Sequence, residues 1–172
     1  MATLSEKLIG QMSRRGGETA VVSDRCTLTW SELCDLSLRT STLWRSCGVE
    51  KGDRVALLCS NRPAFLVSWF AIANIGATTV PLNSGLVGDG LRYSIIQSDS
   101  KVVVVERTLY DAKRADLDKV LGERKLVVIE GEEELFARAS LLVPDEPYRG
   151  CGSDPLTIIY TSGTTGLPKG VL

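Results

Sequence analysis

The chain has 172 residues, of which 44% are hydrophobic and 24% charged, and its net charge is −1. This length suits one domain or a fragment of a larger one, and it is sufficient to bury a core. A near-neutral chain without a basic stripe gives no electrostatic reason to expect nucleic acid as a partner. Because the sequence contains no histidine, these residues cannot form a Ser-His or Cys-His nucleophile pair or a His-ligated metal site.

The five cysteines are odd in number and show no C-x-x-C spacing. Cys34, Cys47 and Cys59 lie among apolar residues, and we interpret them as small buried side chains. We therefore expect neither a disulfide framework nor a zinc site, and we predict a cytoplasmic protein.

The N-terminus lacks the apolar core of a signal peptide. The uncharged stretch 64–88 is interrupted by polar residues, glycine and proline, so no transmembrane segment is predicted.

The first part of the chain predicts two helices and a hairpin. Apolar residues at helical spacing indicate a short amphipathic helix at the N-terminus. Residues 18–30 predict a β-hairpin with its turn at 23–25. Thr29 and Glu32 fit a capping box at the start of a long helix, and Gly48 lies where that helix would end.

Four short runs are apolar almost throughout and rich in β-branched residues: 54–59, 101–106, 125–130 and 156–160. Runs without strict alternation predict strands that are covered on both faces. Helical segments separate the first three runs, and parallel strands need such crossovers. The sequence therefore predicts an α/β fold with a mostly parallel sheet and helices on both faces.

The segments between these runs carry their own signals. One helix is predicted with Pro63 in its first turn and its end at Gly76. Asp89 is predicted to cap the next helix, whose apolar face would include Ile95 and Ile96.

Two stretches in the second half of the chain are predicted to be exposed. We interpret the acidic run 130–134 as a solvated loop or helix start rather than a metal site. Residues 141–156, with three prolines and two glycines, are predicted to form a loop that leads to the last strand.

The segment TSGTTGLPKG, residues 161–170, carries the most chemical information. Glycines allow positive φ and let several N–H groups converge, while Ser and Thr add hydroxyl donors. Lys169 adds a mobile positive charge. Such a loop can hold several negative oxygens, although its composition also fits a polar surface loop. The spacing is not that of a Walker A motif, and a strand rather than a helix is predicted at 170–172.

The complete string YTSGTTGLPKGV, residues 160–171, resembles the phosphate-loop signature of the AMP-forming, adenylate-forming enzymes. Three upstream blocks resemble that family's motifs in the same order: 28–33, 48–83 and 91–106. The sequences of the loop and of VPLN at 80–83 resemble those of acyl-CoA and aryl-CoA synthetases more than those of peptide-synthetase adenylation domains. The resemblance is weakest over 107–150. It implies that residues 1–172 are the N-terminal part of an AMP-binding domain, truncated just after the phosphate loop.

The resemblance implies a reaction in two halves. A carboxylic acid attacks the α-phosphorus of ATP to give an acyl-adenylate and pyrophosphate, and the thiol of coenzyme A then displaces AMP. By motif match, the β- and γ-phosphates would lie against loop residues and their charge would be stabilised by fixed donors. These cofactor-binding residues are Thr161, Ser162, Gly163, Thr164, Thr165, Gly166 and Lys169. Lys169 is also expected to be the catalytic cation, and Thr161 is expected to supply one Mg²⁺ ligand.

Two alternatives stay open at this point. The chain could be a truncated, non-catalytic product that at most binds polyphosphate or a partner, or part of an adenylation domain that loads a carrier protein. Family members continue well past the phosphate loop, so we expect the 172-residue chain alone to be inactive. The acid that is activated and the oligomeric state are not predicted, because the acyl pocket would be built from later residues.

Overall fold

The computed structural model describes residues 2–161 and 168–172. Over this part, the chain forms six α-helices and eight β-strands. The helices are α1 (Leu4–Arg15), α2 (Trp30–Ser46), α3 (Pro63–Ile75), α4 (Gly88–Gln97), α5 (Arg107–Leu121) and α6 (Glu132–Ser140). The strands are β1 (Thr19–Val22), β2 (Thr27–Thr29), β3 (Arg54–Leu58), β4 (Thr78–Pro81), β5 (Val102–Glu106), β6 (Lys125–Ile129), β7 (Ile159–Thr161) and β8 (Lys169–Val171).

A four-stranded parallel sheet with the order β4-β3-β5-β6 forms the centre of the fold. Every residue of β5 is buried, and so are four of the five residues of β3. Helices α2, α3 and α6 contribute side chains to the core on one face of the sheet, and α4 and α5 contribute to the core on the other. Helices therefore cover both faces of the sheet, which explains why its strands are apolar almost throughout. The predicted α/β architecture is confirmed.

The predicted buried strand at 156–160 is wrong in its burial. Thr157 makes only an isolated parallel bridge to Thr79 of β4, and β7 pairs antiparallel with β8 instead. Ile158 packs against the core, whereas Ile159 is 55% exposed. Two adjacent isoleucines fit a buried strand and a half-covered strand equally well, because each face of the strand receives one of them.

The predicted capping box of α2 and the predicted end of α3 are confirmed. The Thr29 hydroxyl accepts from the Glu32 amide at 3.2 Å, and the Glu32 carboxylate accepts from the Thr29 amide at 2.8 Å. Thr3 and Glu6 form the same reciprocal box at the start of α1. Gly76 closes α3 in the left-handed conformation, with φ at 78°. The predicted hairpin is the antiparallel pair of β1 and β2.

The predicted start of α4 needs a correction. Asp89 lies in the first turn of the helix and makes no side-chain cap. Instead, Asp116 of α5 accepts from the Gly88 amide at 2.6 Å, so the acceptor comes from a neighbouring helix. Ile95 is buried as expected, but Ile96 is 54% exposed, because the helix turns only one of these two neighbours toward the sheet.

Residues 141–156, which we call the strap, contain no helix or strand, as predicted. The strap runs along α2, where the Asp145 amide donates to the Leu38 carbonyl at 3.1 Å. The ring of Tyr148 lies directly against Gly76 at the end of α3. The strap thus connects α6 to the edge strand β4 across the surface of the core.

All five cysteines are free. Cys34 and Cys59 are buried as expected, whereas Cys47 is only half-buried. Within the described ranges, no helix combines the length and the apolar character that a membrane crossing requires.

Candidate functional site

The described flanks of the predicted phosphate loop form a short antiparallel hairpin. Thr161 at the end of β7 lies opposite Lys169 at the start of β8, and Tyr160 lies opposite Gly170. The strand expected after the loop is therefore present. Both Thr161 and Lys169 are exposed, and they form the last pair of the hairpin before the connection between its strands. The other predicted loop residues lie outside the described residues, and their roles stay predictions: Ser162, Gly163, Thr164, Thr165 and Gly166.

The root of this hairpin is fixed to the parallel sheet. The Thr79 amide of β4 donates to the Leu156 carbonyl at 3.0 Å, and the Ile158 amide donates back to the Thr79 carbonyl at 2.9 Å. The indole N–H of Trp69 in α3 donates to the Thr157 hydroxyl at 3.0 Å. The sequence motifs gave no signal for Trp69, so this hydrogen bond is a site feature that the sequence reasoning missed.

A groove of about 360 Å³ lies beside β7, at the carboxyl ends of β3 and β4. Its lining residues come from the β3–α3 loop, the end of β4 and β7: Cys59, Asn61, Phe65, Pro81, Leu82, Asn83, Ser84, Ile159 and Tyr160. In open α/β sheets, ligands bind outside the carboxyl ends of the strands. A larger cavity of about 510 Å³ lies at the opposite ends of the strands, among Asp53, Arg54 and Lys101. The groove next to the hairpin is therefore the better candidate for a substrate.

The polar groups of this groove are uncharged. Asn61, Asn83, Ser84 and Tyr160 supply amides and hydroxyls, and among the described residues none that lines the groove is acidic or basic. The Tyr160 hydroxyl donates to the Gln97 side chain. Burial raises the pKa of Tyr160, so its hydroxyl stays protonated at neutral pH.

A buried ionic cluster of Arg62, Glu106 and Glu132 stabilises the β3–α3 loop. Arg62 lies 3.2 Å from a carboxylate oxygen of Glu106 at the end of β5, and 3.5 Å from Glu132 at the start of α6. Burial by itself raises the pKa of Glu106, but hydrogen bonds from Ser60 and Thr108 and the charge of Arg62 bring this pKa below its ordinary value. Glu106 is thus a carboxylate at neutral pH.

The prediction for the acidic run 130–134 is half right. The run begins α6, as expected, but Glu132 is only 6% exposed and is not solvated. The reason is Arg62, which brings an opposite charge from a distant part of the chain. At 3.5 Å the contact is an ion pair rather than a directed hydrogen bond, and Glu132 Oε1 accepts no hydrogen bond from the described residues. Among those residues, no group of three or more acidic or cysteine side chains is arranged to hold a metal ion.

The family described as AMP-binding enzyme matches residues 10–172. The chain belongs to this family. Over 149 residues it is 36% identical to the long-chain-fatty-acid–CoA ligase FadD13 of Mycobacterium tuberculosis strain H37Rv, covering 84% of the chain and 29% of that relative. Over 173 residues it is 31% identical to the crotonobetaine/carnitine–CoA ligase of Salmonella typhimurium strain LT2, covering 91% of the chain and 33% of that relative. The chain thus spans about a third of the length of these relatives.

Solved structures of other proteins show the same fold. The N-terminal domain of FACL13 from Mycobacterium tuberculosis superimposes with a TM-score of 0.85 at 32% identity, over 99% of this chain and 44% of that chain. An anthranilate CoA ligase with a TM-score of 0.88 is 22% identical and covers 99% of this chain and 34% of that chain. At that identity, the second likeness supports the fold alone. The predicted family and fold are both confirmed.

Proposed function

We propose that the protein containing this segment is an AMP-forming acyl-CoA ligase, in which residues 1–172 form the N-terminal part of the AMP-binding domain. Its reaction joins a carboxylate oxygen to the α-phosphorus of ATP and releases pyrophosphate. The sulfur of coenzyme A then bonds to the acyl carbon, and AMP leaves. Family membership supports this proposal, as do relatives that are named CoA ligases.

The observation that carries the proposal is the pairing of Thr161 with Lys169, the last pair of the β7–β8 hairpin before the connection between its two strands. This pairing brings a hydroxyl and an ammonium group to the two ends of a glycine- and threonine-rich connection. The departing pyrophosphate carries several negative charges, and fixed donors at that position lower the barrier of such reactions. In this proposal Lys169 balances the charge of the β- and γ-phosphates. The hydroxyls and amides of residues 161–165 bind their oxygens, and Gly166 lets the connection bend.

The hairpin also fits the Mg²⁺ ion that accompanies ATP. Mg²⁺ prefers oxygen ligands, keeps several waters and binds phosphate oxygens together with few protein groups. The exposed hydroxyl of Thr161 is the described group that we propose as one ligand, and the phosphates would supply others. When bound, the ion neutralises part of the phosphate charge.

Replacing Lys169 with alanine in the native protein tests this function. We expect carboxylate-dependent exchange of pyrophosphate into ATP to fall by about 100-fold to 1,000-fold, as for the loss of one charge-stabilising donor. Lys125→Ala is the matched control, because Lys125 is also an exposed first residue of a strand and lies on the far edge of the sheet. The thermal midpoint of both variants should match that of the wild type, since both side chains are exposed.

Two results would contradict the proposal. One is exchange activity in Lys169→Ala and in the double variant T164A/T165A that stays within twofold of the wild type. The other is the absence of exchange in folded wild-type protein across a broad panel of acids. Formation of acyl-CoA supports coenzyme A as the acceptor, whereas an adenylate that coenzyme A does not consume would favour a carrier protein.

A further inference from the structure

We propose that Glu106 is a positioning residue, whose buried carboxylate fixes the β3–α3 loop (59–62) and thereby shapes one wall of the groove beside β7. The inference rests on the proposed function, because the groove is a substrate site only if the protein is a ligase. Glu106 itself does not line the groove. It would act through the loop.

Each oxygen of the Glu106 carboxylate makes two polar contacts. Oε2 accepts from the Ser60 amide at 3.0 Å and lies 3.7 Å from the Cys59 thiol. Oε1 accepts from the Thr108 hydroxyl at 2.8 Å and pairs with Arg62 at 3.2 Å. Three of these four partners belong to the β3–α3 loop. One side chain at the end of β5 therefore determines the path of a loop that follows β3.

The position of the β3–α3 loop matters because the loop lines the groove opposite β7. Cys59 and Asn61 form one wall of the groove together with Phe65 at the start of α3, and β7 forms the opposite wall. The next residue of β7 after Tyr160 is Thr161, where the proposed phosphate site begins. Since the groove lining is uncharged, it suits an uncharged part of a substrate rather than the polyphosphate. A displacement of about 1 Å in such a wall is sufficient to weaken binding or turnover.

A glutamine of the same shape cannot replace the carboxylate. Its amide offers one acceptor oxygen and one NH₂ donor, whereas all four partners of Glu106 approach as donors. In Glu106→Gln, the NH₂ group therefore meets either the Ser60 amide or Arg62. A buried donor left without an acceptor is costly, so the loop would move to relieve the conflict.

The test compares Glu106→Gln with Glu130→Gln in the native, full-length protein. Glu130 directly follows the neighbouring strand β6 and pairs with Arg107, but it is exposed and does not line the groove. For Glu106→Gln we expect the KM of one of the three substrates, ATP, acid or coenzyme A, to rise about 10-fold with kcat within about threefold. Glu130→Gln should leave all three KM values unchanged.

Hydrogen–deuterium exchange gives a readout that does not depend on activity. The amides of residues 59–62 should exchange faster in Glu106→Gln than in the wild type, because the loop loses either the acceptor of the Ser60 amide or the partner of Arg62. Glu130→Gln should not change their exchange. A wild-type protein that folds but has no ligase activity would refute the proposed function, while the exchange of this loop would still decide whether Glu106 orders it.

A lower thermal midpoint of Glu106→Gln with all three KM values unchanged would overturn the inference, because Glu106 would then contribute to stability alone. If Glu106→Gln does not fold, Thr108→Val replaces it. That variant keeps the carboxylate and removes one donor to Oε1. It should raise the same KM by about threefold, and unchanged kinetics would again overturn the inference.

Discussion

Replacing Gly76 with alanine tests how closely the strap is packed onto the end of α3. Gly76 has φ at 78°, and its carbonyl accepts from the Gly52 amide at 3.0 Å. A Cβ atom built at Gly76 would lie 2.7 to 2.9 Å from three atoms of the Tyr148 ring. Alanine therefore meets two separate obstacles, one in the backbone and one in the packing.

The two obstacles have different sizes. A left-handed conformation costs alanine about 1 kcal/mol relative to glycine. Forcing additional atoms into a packed contact typically costs about 1–3 kcal/mol. The ring cannot swing away freely, because the Tyr148 hydroxyl donates to Asp154 at 2.6 Å and the Lys51 ammonium lies 5.1 Å from the ring centre. We expect Gly76→Ala to lower the free energy of unfolding by about 2–4 kcal/mol.

Urea unfolding of matched variants separates these contributions. Gly48 also follows a helix in the left-handed conformation, with φ at 84°, but a Cβ there would meet no atom of the described residues within 4 Å. Gly48→Ala should therefore lose only the backbone contribution of about 1 kcal/mol. In a Tyr148→Ala background the ring is absent, and Gly76→Ala should cost no more than Gly48→Ala does. A loss for Gly76→Ala in the wild-type background that equals the loss for Gly48→Ala would refute the reasoning.

The other predictions concern pH and thiol chemistry. The pKa of Glu106 in the folded state lies below its ordinary value of 4.5. The contribution of Glu106 to the free energy of unfolding is therefore complete above about pH 5 and is lost as the pH falls through the folded-state pKa. Urea unfolding should therefore show a difference between wild type and Glu106→Gln that shrinks from pH 7 to pH 4, and an equal difference at both pH values would contradict this. Thiol labelling at neutral pH should begin at Cys151, which is exposed and whose pKa is lowered by hydrogen bonding to Ser153. The buried thiols should react later, because burial raises the pKa of Cys34 to about 11 and that of Cys59 to about 12. Cys151→Ser should abolish the fast phase of labelling, and a fast phase that persists would count against this order of reactivity.

The elements that the sequence predicted well are those whose signals are local. The box of Thr29 and Glu32 places both partners within one turn, and the end of α3 needs only Gly76. Strands β3, β5 and β6 are apolar almost throughout because helices cover both faces of the sheet. In each case the physical cause of the structure lies within a few residues of the signal, so pattern reasoning could find it.

The ionic cluster behind the groove was not predictable in the same way. Glu132 belongs to an acidic run, and such runs usually face water. Its burial depends on Arg62, which is distant in sequence and reaches it only because α3 and α6 pack on the same face of the sheet. The sequence did contain one overlooked signal. Glu106 places a charge on the last residue of an otherwise all-valine buried strand, and a buried charge requires a partner.

The position of Lys169 illustrates why the candidate site needed the structure. Its side of the hairpin depends on register, since a slip of one residue in a strand moves each side chain to the other face. The register is set by the pairing of β7 with β8 and by close packing at Gly170, where a Cβ would approach Ile158 to 3.0 Å and Tyr160 to 3.2 Å. A larger residue at 170 would require the Ile158 and Tyr160 side chains to shift. The placement of the proposed catalytic charge therefore depends on the strand register, and the adjacent glycine lets the two strands pack closely.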